Sequence, residues 1–200
     1  MSIKGIYLDY SGVVSISRVG HPHDVYAQQL GITSQALEEF FEGDLNRQVD
    51  LGEITQVQFF DRMIQELGLT PESIEIFKEA FREGFELNQA LLDFVQTFSP
   101  NIKIGLLSNY SDRLRRVIEE ELNIVHIFDV TIISCEVKLL KPDKAIYQLA
   151  LERMGIQPNE MVFVDDRIEN IESATEMGIH SIQFKETEQV IAEIKQLMRE

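Results

Sequence analysis

The chain has 200 residues, of which 44% are hydrophobic, and its formal net charge is −16. This length suits one doubly wound domain, or one core with a small insertion, and the apolar content excludes a disordered or fibrous chain. The negative charge argues against nucleic acid and anionic membranes as partners, because both attract clustered Lys and Arg.

The chain also lacks the features of a membrane or secreted protein. No apolar run approaches the length of a membrane span, and the N-terminus lacks the long apolar stretch of a signal peptide. The single cysteine, Cys135, allows neither an intrachain disulfide nor a Cys-based zinc cluster. We therefore expect a cytoplasmic protein, and the oligomeric state stays open.

The first predicted element is a short apolar strand near the N-terminus. Within IKGIYLDYSGVV at residues 3–14, this strand ends at Asp9, and Ser11-Gly12-Val13-Val14 follows at once. Residues 20–87 then contain only helical spacings of apolar residues, such as Ile74, Phe77, Phe81 and Phe85. We interpret residues 20–87 as a helical insertion that packs as a small separate unit.

One stretch interrupts the helical periodicity of this insertion. The segment GDLNRQVDLGEI at residues 43–54 is predicted to be a loop that faces the substrate crevice. Arg47 in this loop is a candidate contact for a substrate anion, and a solvated surface arginine is the alternative.

The rest of the chain alternates between strands and helices. Strands are predicted near 102–107, 129–133, 161–164 and 180–184. Helices are predicted near 89–98, from about Asp112, near 143–154 and near 168–177, with a last helix that bears Val190, Ile191, Ile194 and Leu197. This alternation indicates βαβ units and a parallel sheet with right-handed crossovers. We expect an α/β, doubly wound core built from residues 1–19 and 88–200, with the all-helical unit 20–87 inserted after the first strand.

Polar residues follow several of these strands at their carboxyl ends, where ligands bind to parallel sheets. They are Asp9, Ser108 and the pair Asp165-Asp166, with Lys141 in the loop after the third core strand. Taken singly, each has a structural alternative. Asp9 suits a turn, and Lys141-Pro142 suits an exposed helix start. Ser108-Asn109, Ser111-Asp112 and Asp165-Asp166 suit helix caps. Their joint occurrence favours one catalytic centre.

Four segments resemble the motifs of the haloacid dehalogenase-like (HAD) hydrolase superfamily. They are LDYSGVV at 8–14, LLSN at 106–109, SCEVKLLKPDKAIY at 134–147 and VFVDDRIEN at 162–170. The insertion sits where this family places its helical, C1-type cap. The resemblance implies a Rossmann-like core, a cap domain and a hydrolase.

The resemblance also implies roles for the polar residues at the strand ends. Asp9 is expected to be the nucleophile that forms an aspartyl-phosphate. Mg²⁺ is the expected cofactor, held by Asp9, Asp166 and the Ser11 backbone carbonyl, with Asp165 in support.

The same resemblance assigns the phosphate contacts. Lys141 is expected to offset the charge of the phosphate and the carboxylates, while Ser108 and Asn109 donate hydrogen bonds to phosphoryl oxygens. The expected substrate is a small phosphorylated metabolite.

The chain departs from the family pattern at Ser11. HAD phosphatases normally carry an aspartate two residues after the nucleophile, as general acid and base, and its loss costs roughly 10²–10⁴-fold in rate. Three hypotheses follow: a slow Mg²⁺-dependent phosphatase, a protein that binds a phosphorylated ligand without turnover, and a metal-free dehalogenase. The Asp165-Asp166 pair argues against the dehalogenase, which has uncharged residues there in this family.

Two further candidates have simpler interpretations. His21-Pro22-His23 lacks a third ligand for a metal and is more typical of a solvated loop. Cys135 follows an apolar strand with no base nearby, which is typical of a buried structural cysteine.

Overall fold

The computed structural model describes residues 2–18, 22–98 and 100–199, apart from the side chains at 22 and 23. The side chains of His21-Pro22-His23, which the sequence suggests are solvated, therefore lie outside what the structure describes. The strands are β1 (Gly5–Leu8), β2 (Ser15–Ser17), β3 (Phe85–Leu87), β4 (Lys103–Ser108), β5 (Val130–Ile133), β6 (Met161–Asp165) and β7 (His180–Gln183). The α-helices are α1 (Pro22–Leu30), α2 (Ser34–Glu42), α3 (Asp44–Asp50), α4 (Gln56–Leu67), α5 (Pro71–Glu83), α6 (Gln89–Gln96), α7 (Arg113–Arg116), α8 (Ser134–Val137), α9 (Lys144–Met154), α10 (Ile168–Glu176) and α11 (Thr187–Leu197).

Five strands form one parallel sheet in the order β5-β4-β1-β6-β7. The chain moves outward from β1 through β4 and β5 on one side, and through β6 and β7 on the other. The strand order therefore reverses beside β1, and the carboxyl end of this strand is where a crevice opens in such sheets. The predicted α/β, doubly wound fold is confirmed.

The sheet is buried on both faces because its strands are apolar on both sides. In β1, Ile6 and Leu8 pack into one hydrophobic cluster with α6 and α11, and Tyr7 packs into the other with α9 and α10. Successive side chains of a strand point to opposite faces, so each strand contributes to both clusters. This three-layer packing holds the strand ends in place around β1.

Helices α1–α5, here called the cap, surround a third hydrophobic cluster of their own. Leu37 and Met63 are fully buried in it, together with Phe40, Phe59 and Phe77. Helices this short gain most of their stability from such tertiary packing. No helix in the described part of the chain is long and apolar enough to cross a membrane.

Two sequence predictions for residues 20–87 were wrong. Phe85, predicted to be helical, lies in β3, which pairs antiparallel with β2 and joins the cap to the core. Three-residue strands with partners about 70 positions away leave no local periodicity that predicts them. The segment at 43–54 is not a loop, because its first part forms α3, with Leu45 and Val49 buried on one face.

The helix predicted from about residue 112 is also less regular than expected. It begins as the short α7 and continues as a π-helix over Val117–Glu121. Leu114 and Ile118 are fully buried on its inner side.

Candidate functional site

Asp9 lies directly after the central strand β1 and is 5% exposed. Its carboxylate accepts a hydrogen bond from the Tyr10 backbone N–H at 2.6 Å and lies 3.0 Å from the Lys141 ammonium. Burial raises the pKa of the Asp9 carboxyl to about 7, although the charge of Lys141 lowers it. Asp9 is thus a buried carboxylate whose ionised form depends on neighbouring positive charge.

Lys141 supplies that charge from the loop between α8 and α9. Its Nζ lies 2.6 Å from Asp165 Oδ2, so one ammonium contacts two carboxylates. Burial lowers the pKa of Lys141, but Asp9 and Asp165 outweigh this effect and raise it above the ordinary value. Lys141 therefore remains positively charged at neutral pH.

Asn109 holds the loop that carries Lys141. Its side-chain amide donates to the Lys141 backbone carbonyl at 2.8 Å and accepts from the Lys141 backbone N–H at 2.9 Å. Ser108, the last residue of β4, is fully buried, and its hydroxyl has no hydrogen-bond partner of good geometry among the described residues. The Ser108 hydroxyl is close enough to Asp9 to lower the pKa of that carboxyl. A buried hydroxyl without a partner is costly unless a ligand satisfies it.

Three carboxylates meet at this end of the sheet. One oxygen each from Asp9, Asp165 and Asp166 lie within 4.8 Å of one another. Asp165 is fully buried and accepts from the Asn170 side-chain amide at 2.9 Å, whereas Asp166 is exposed. Although the residue as a whole is exposed, the Asp166 carboxylate packs against Gly12, and this partial desolvation together with the charge of Asp165 raises the pKa of Asp166. Clustered carboxylate oxygens are the donors that Mg²⁺ prefers, so the residues present fit this ion.

Gly12 leaves room for the Asp166 carboxylate. A Cβ atom at position 12 would lie 2.4 Å from Asp166 Oδ2, and the φ angle of +77° lies in the left-handed region that favours glycine. The sequence does not show this contact, because Gly12 reads there simply as a turn residue after Ser11.

The strand ends face a cavity of about 770 Å³ between the core and the cap. Its core side includes Asp9, Ser11, Asn109, Lys141 and Asp166. Ser108 and Asp165 are not in its lining and lie buried behind these residues. The structure therefore brings together all the predicted site residues of the core.

The cap side of the same cavity is largely aromatic. Its rings are Tyr26, Phe41, Phe59, Phe60, Phe77 and Phe81, with Phe85 from β3. Neighbouring rings are in contact, with centroid distances of 4.8 Å for Phe81 and Phe85 and 6.2 Å for Phe60 and Phe77. Lys78 lies over the Phe60 ring, 4.7 Å from its centroid.

Arg47 is separate from the other predicted site residues. It is exposed on α3 and does not line the cavity, whereas Asn46, Val49 and Asp50 of the same helix do. Because α3 is helical, Arg47 lies on the side of it that turns away from the cavity. The prediction of a crevice-facing loop missed Asp50, whose acidic side chain takes this position instead.

Cys135 is buried in α8, as predicted for a structural cysteine. Burial and the charge of Glu136 raise the pKa of its thiol to about 11. The thiolate form is therefore scarce at neutral pH, so the structure gives this cysteine no sign of reactivity.

Residues 17–178 match the family model of the haloacid dehalogenase-like hydrolases. This match covers most of the chain, so the protein belongs to that family. The parallel α/β sheet and the strand-end carboxylates agree with the resemblance seen in the sequence.

Solved structures and curated relatives extend this result. A predicted HAD-like hydrolase from Porphyromonas gingivalis superposes with a TM-score of 0.82, with 22% identity and 100% of both chains covered. A HAD family enzyme from Bacteroides thetaiotaomicron, solved with magnesium and inorganic phosphate, gives a TM-score of 0.74 and 25% identity, covering 92% of this chain and 95% of that one. Phosphorylated carbohydrates phosphatase of Thermotoga maritima is 32% identical over 111 residues, which is 56% of this chain and 50% of the relative. The chain spans about half or less of the curated relatives it matches.

Proposed function

We propose that this protein is a Mg²⁺-dependent phosphatase of small phosphorylated metabolites that acts through an aspartyl-phosphate on Asp9. The observation that carries the proposal is the buried Asp9 carboxylate on a cavity wall, with Lys141 at 3.0 Å and two further carboxylates beside it. The magnesium and phosphate complex of the Bacteroides thetaiotaomicron enzyme and the name of the Thermotoga maritima phosphatase agree with it.

Each residue has a role in this proposal. Asp9 attacks phosphorus, and Lys141 offsets the charge that Asp9 and the phosphoryl group bring together. Asn109 and the Ser108 hydroxyl donate to phosphoryl oxygens. Asp9, Asp166 and the Ser11 carbonyl hold Mg²⁺, with Asp165 in support. A bound Mg²⁺ neutralises charge on the phosphoryl oxygens and on the carboxylates.

The proposed function divides between the two domains that the sequence predicts. The core (1–19 and 88–200) carries the chemistry, and the cap (20–87) encloses the substrate. A cavity of about 770 Å³ is of the size that takes a small organic ligand. Where the cap covers this half-open cavity, it limits the access of bulk water to the reacting groups.

Ser11 favours a second candidate, a protein that binds a phosphorylated ligand without turnover. Ser11 lines the cavity where the family usually has its acid and base. A serine hydroxyl cannot act as an effective general base near neutral pH.

A substrate panel with and without Mg²⁺ separates these functions. The panel contains phosphate esters of sugars, glycerol and aromatic alcohols, with acetyl phosphate as an activated substrate, and phosphate release is measured. We expect turnover that requires Mg²⁺. Ligand protection against thermal unfolding without any turnover would select the binding protein, and metal-independent halide release from 2-haloacids would select a dehalogenase.

A further inference from the structure

The cavity contains a carboxyl group that the proposed chemistry does not yet use. Glu38 and Glu42 also line the cavity from the cap, but both are exposed. Asp50, at the end of α3, is half-buried and faces the same space as Asp9 and Lys141. Among the cap carboxyl groups that line the cavity, Asp50 is therefore the most buried.

The backbone around Asp50 is attached to the core. The Ser134 hydroxyl donates to the Asp50 backbone carbonyl at 2.6 Å, and the Lys138 ammonium donates to the Gly52 carbonyl at 2.8 Å. These bonds use main-chain oxygens of the cap, so they position the end of α3 and leave the Asp50 side chain available.

The Asp50 side chain has a single hydrogen-bond partner within the described ranges. Asn46 Nδ2 donates to Oδ2 at 3.4 Å, so Oδ1 keeps its capacity to bond to a ligand. Burial raises the pKa of the Asp50 carboxyl to about 7, although the charges of Lys141 and Arg167 lower it. A group that titrates near the working pH is suited to give and take protons.

We propose that Asp50 is the general acid and base of the phosphatase reaction, in place of the aspartate that Ser11 replaces. This inference rests on the proposed function and assigns the missing proton transfer to the cap. The four observations that support it are the position in the cavity, the fixed backbone, the available Oδ1 and the nearby cations.

The proton transfers balance over two steps. Asp9 forms a bond to phosphorus while the bond from phosphorus to the leaving oxygen breaks, and protonated Asp50 gives its proton to that oxygen. The alcohol departs and Asp50 becomes a carboxylate. Water then attacks phosphorus, its proton passes to Asp50, and the bond between Asp9 and phosphorus breaks. Phosphate leaves, and both aspartates return to their starting states.

Leaving-group dependence tests this role in the whole protein with Mg²⁺ present. An alkyl phosphate such as glycerol 3-phosphate needs a proton on its leaving oxygen, whereas p-nitrophenyl phosphate and acetyl phosphate hardly do. We expect Asp50→Asn to lower kcat/KM roughly 10²–10⁴-fold for the alkyl ester and less than about tenfold for the activated substrates. Equal losses on all substrates, or no loss on any, would overturn the proposal.

Two further variants make the result decisive. Asp44→Asn changes an exposed carboxyl on the same helix, outside the cavity, and should leave all rates unchanged. Ser11→Asp should raise alkyl ester turnover at least about tenfold in the Asp50→Asn background, a barrier change of about 1.4 kcal/mol, and clearly less in the wild type. The same gain in both backgrounds would also overturn the role of Asp50. Wild-type protein that is inactive even on acetyl phosphate would refute the proposed function itself.

Discussion

The two walls of the cavity are built by different kinds of interaction. On the core wall, Asp9 and Lys141 are buried, and each has polar contacts of 3.0 Å or less. On the cap wall, the Phe77 ring contacts the rings of Phe60 and Phe81, and these side chains have no polar group to orient. The core wall therefore resembles a prearranged reaction site, and the cap wall resembles a binding surface.

The difference follows from the cost of burying charge. A buried carboxylate is stable only with a partner in fixed geometry, so strand ends and their tight loops must position it. Apolar rings can pack in several arrangements at similar free energy, so a set of short helices is sufficient to present them. We expect changes in the core wall and at Asp50 to affect the chemical step, and changes in the aromatic rings of the cap wall to affect substrate binding.

The largest effect is expected for Asp9→Asn. The amide cannot act as the nucleophile, so kcat should fall by about 10³-fold or more, while the melting temperature changes by only a few degrees. Steady-state kinetics and thermal unfolding measure the two quantities. Asp93→Asn, at an exposed site on α6, is the matched control. If Asp9→Asn keeps most of its turnover, the core wall is not the site of covalent chemistry.

Gly12→Ala should weaken the metal site. The new Cβ would lie 2.4 Å from Asp166 Oδ2, so that carboxylate must move. We expect Mg²⁺ affinity, measured by calorimetry, to fall roughly 10–100-fold. Gly155 has a similar φ of +70° but no atom near its Cβ position, so Gly155→Ala reproduces the backbone strain without the clash. Equal Mg²⁺ affinity in both variants would show that Asp166 does not bind the ion.

Phe81→Ala should change binding and leave the chemical step alone. Phe81 lines the cavity from α5, so removing its ring takes away contact with the apolar part of a substrate. We expect KM for 1-naphthyl phosphate to rise roughly tenfold, or about 1.4 kcal/mol, while kcat and the kinetics of acetyl phosphate stay unchanged. Phe94→Ala removes a half-buried ring outside the cavity and serves as control. A loss of kcat instead would show that the Phe81 ring contributes to the chemical step.

The smallest effect is expected for Arg47→Ala. Its exposed position outside the cavity predicts changes of less than about twofold in kcat and KM. A large rise in KM for anionic substrates would mean that α3 turns its other face to the ligand.

Much of the core wall could be predicted from the sequence. The end of an apolar strand is a local feature, and parallel strands bring their carboxyl ends to one edge, so Asp9, Ser108 and Asp165 were expected to meet. The cap wall was less predictable, because helical periodicity identifies a buried face without saying which element covers it. Phe81 was therefore expected in a helix but had no assigned partner or cavity.

The sequence by itself determined the α/β alternation, the helical insertion and the polar residues at the strand ends. These features are encoded in the spacing of apolar residues and in the residue that follows each strand. Only the tertiary structure decided that Asp50 faces the cavity and Arg47 does not, that Gly12 adjoins Asp166, and that β2 pairs with β3. Each of these depends on the orientation of one short element against a distant part of the chain, and local spacing carries no information about that orientation.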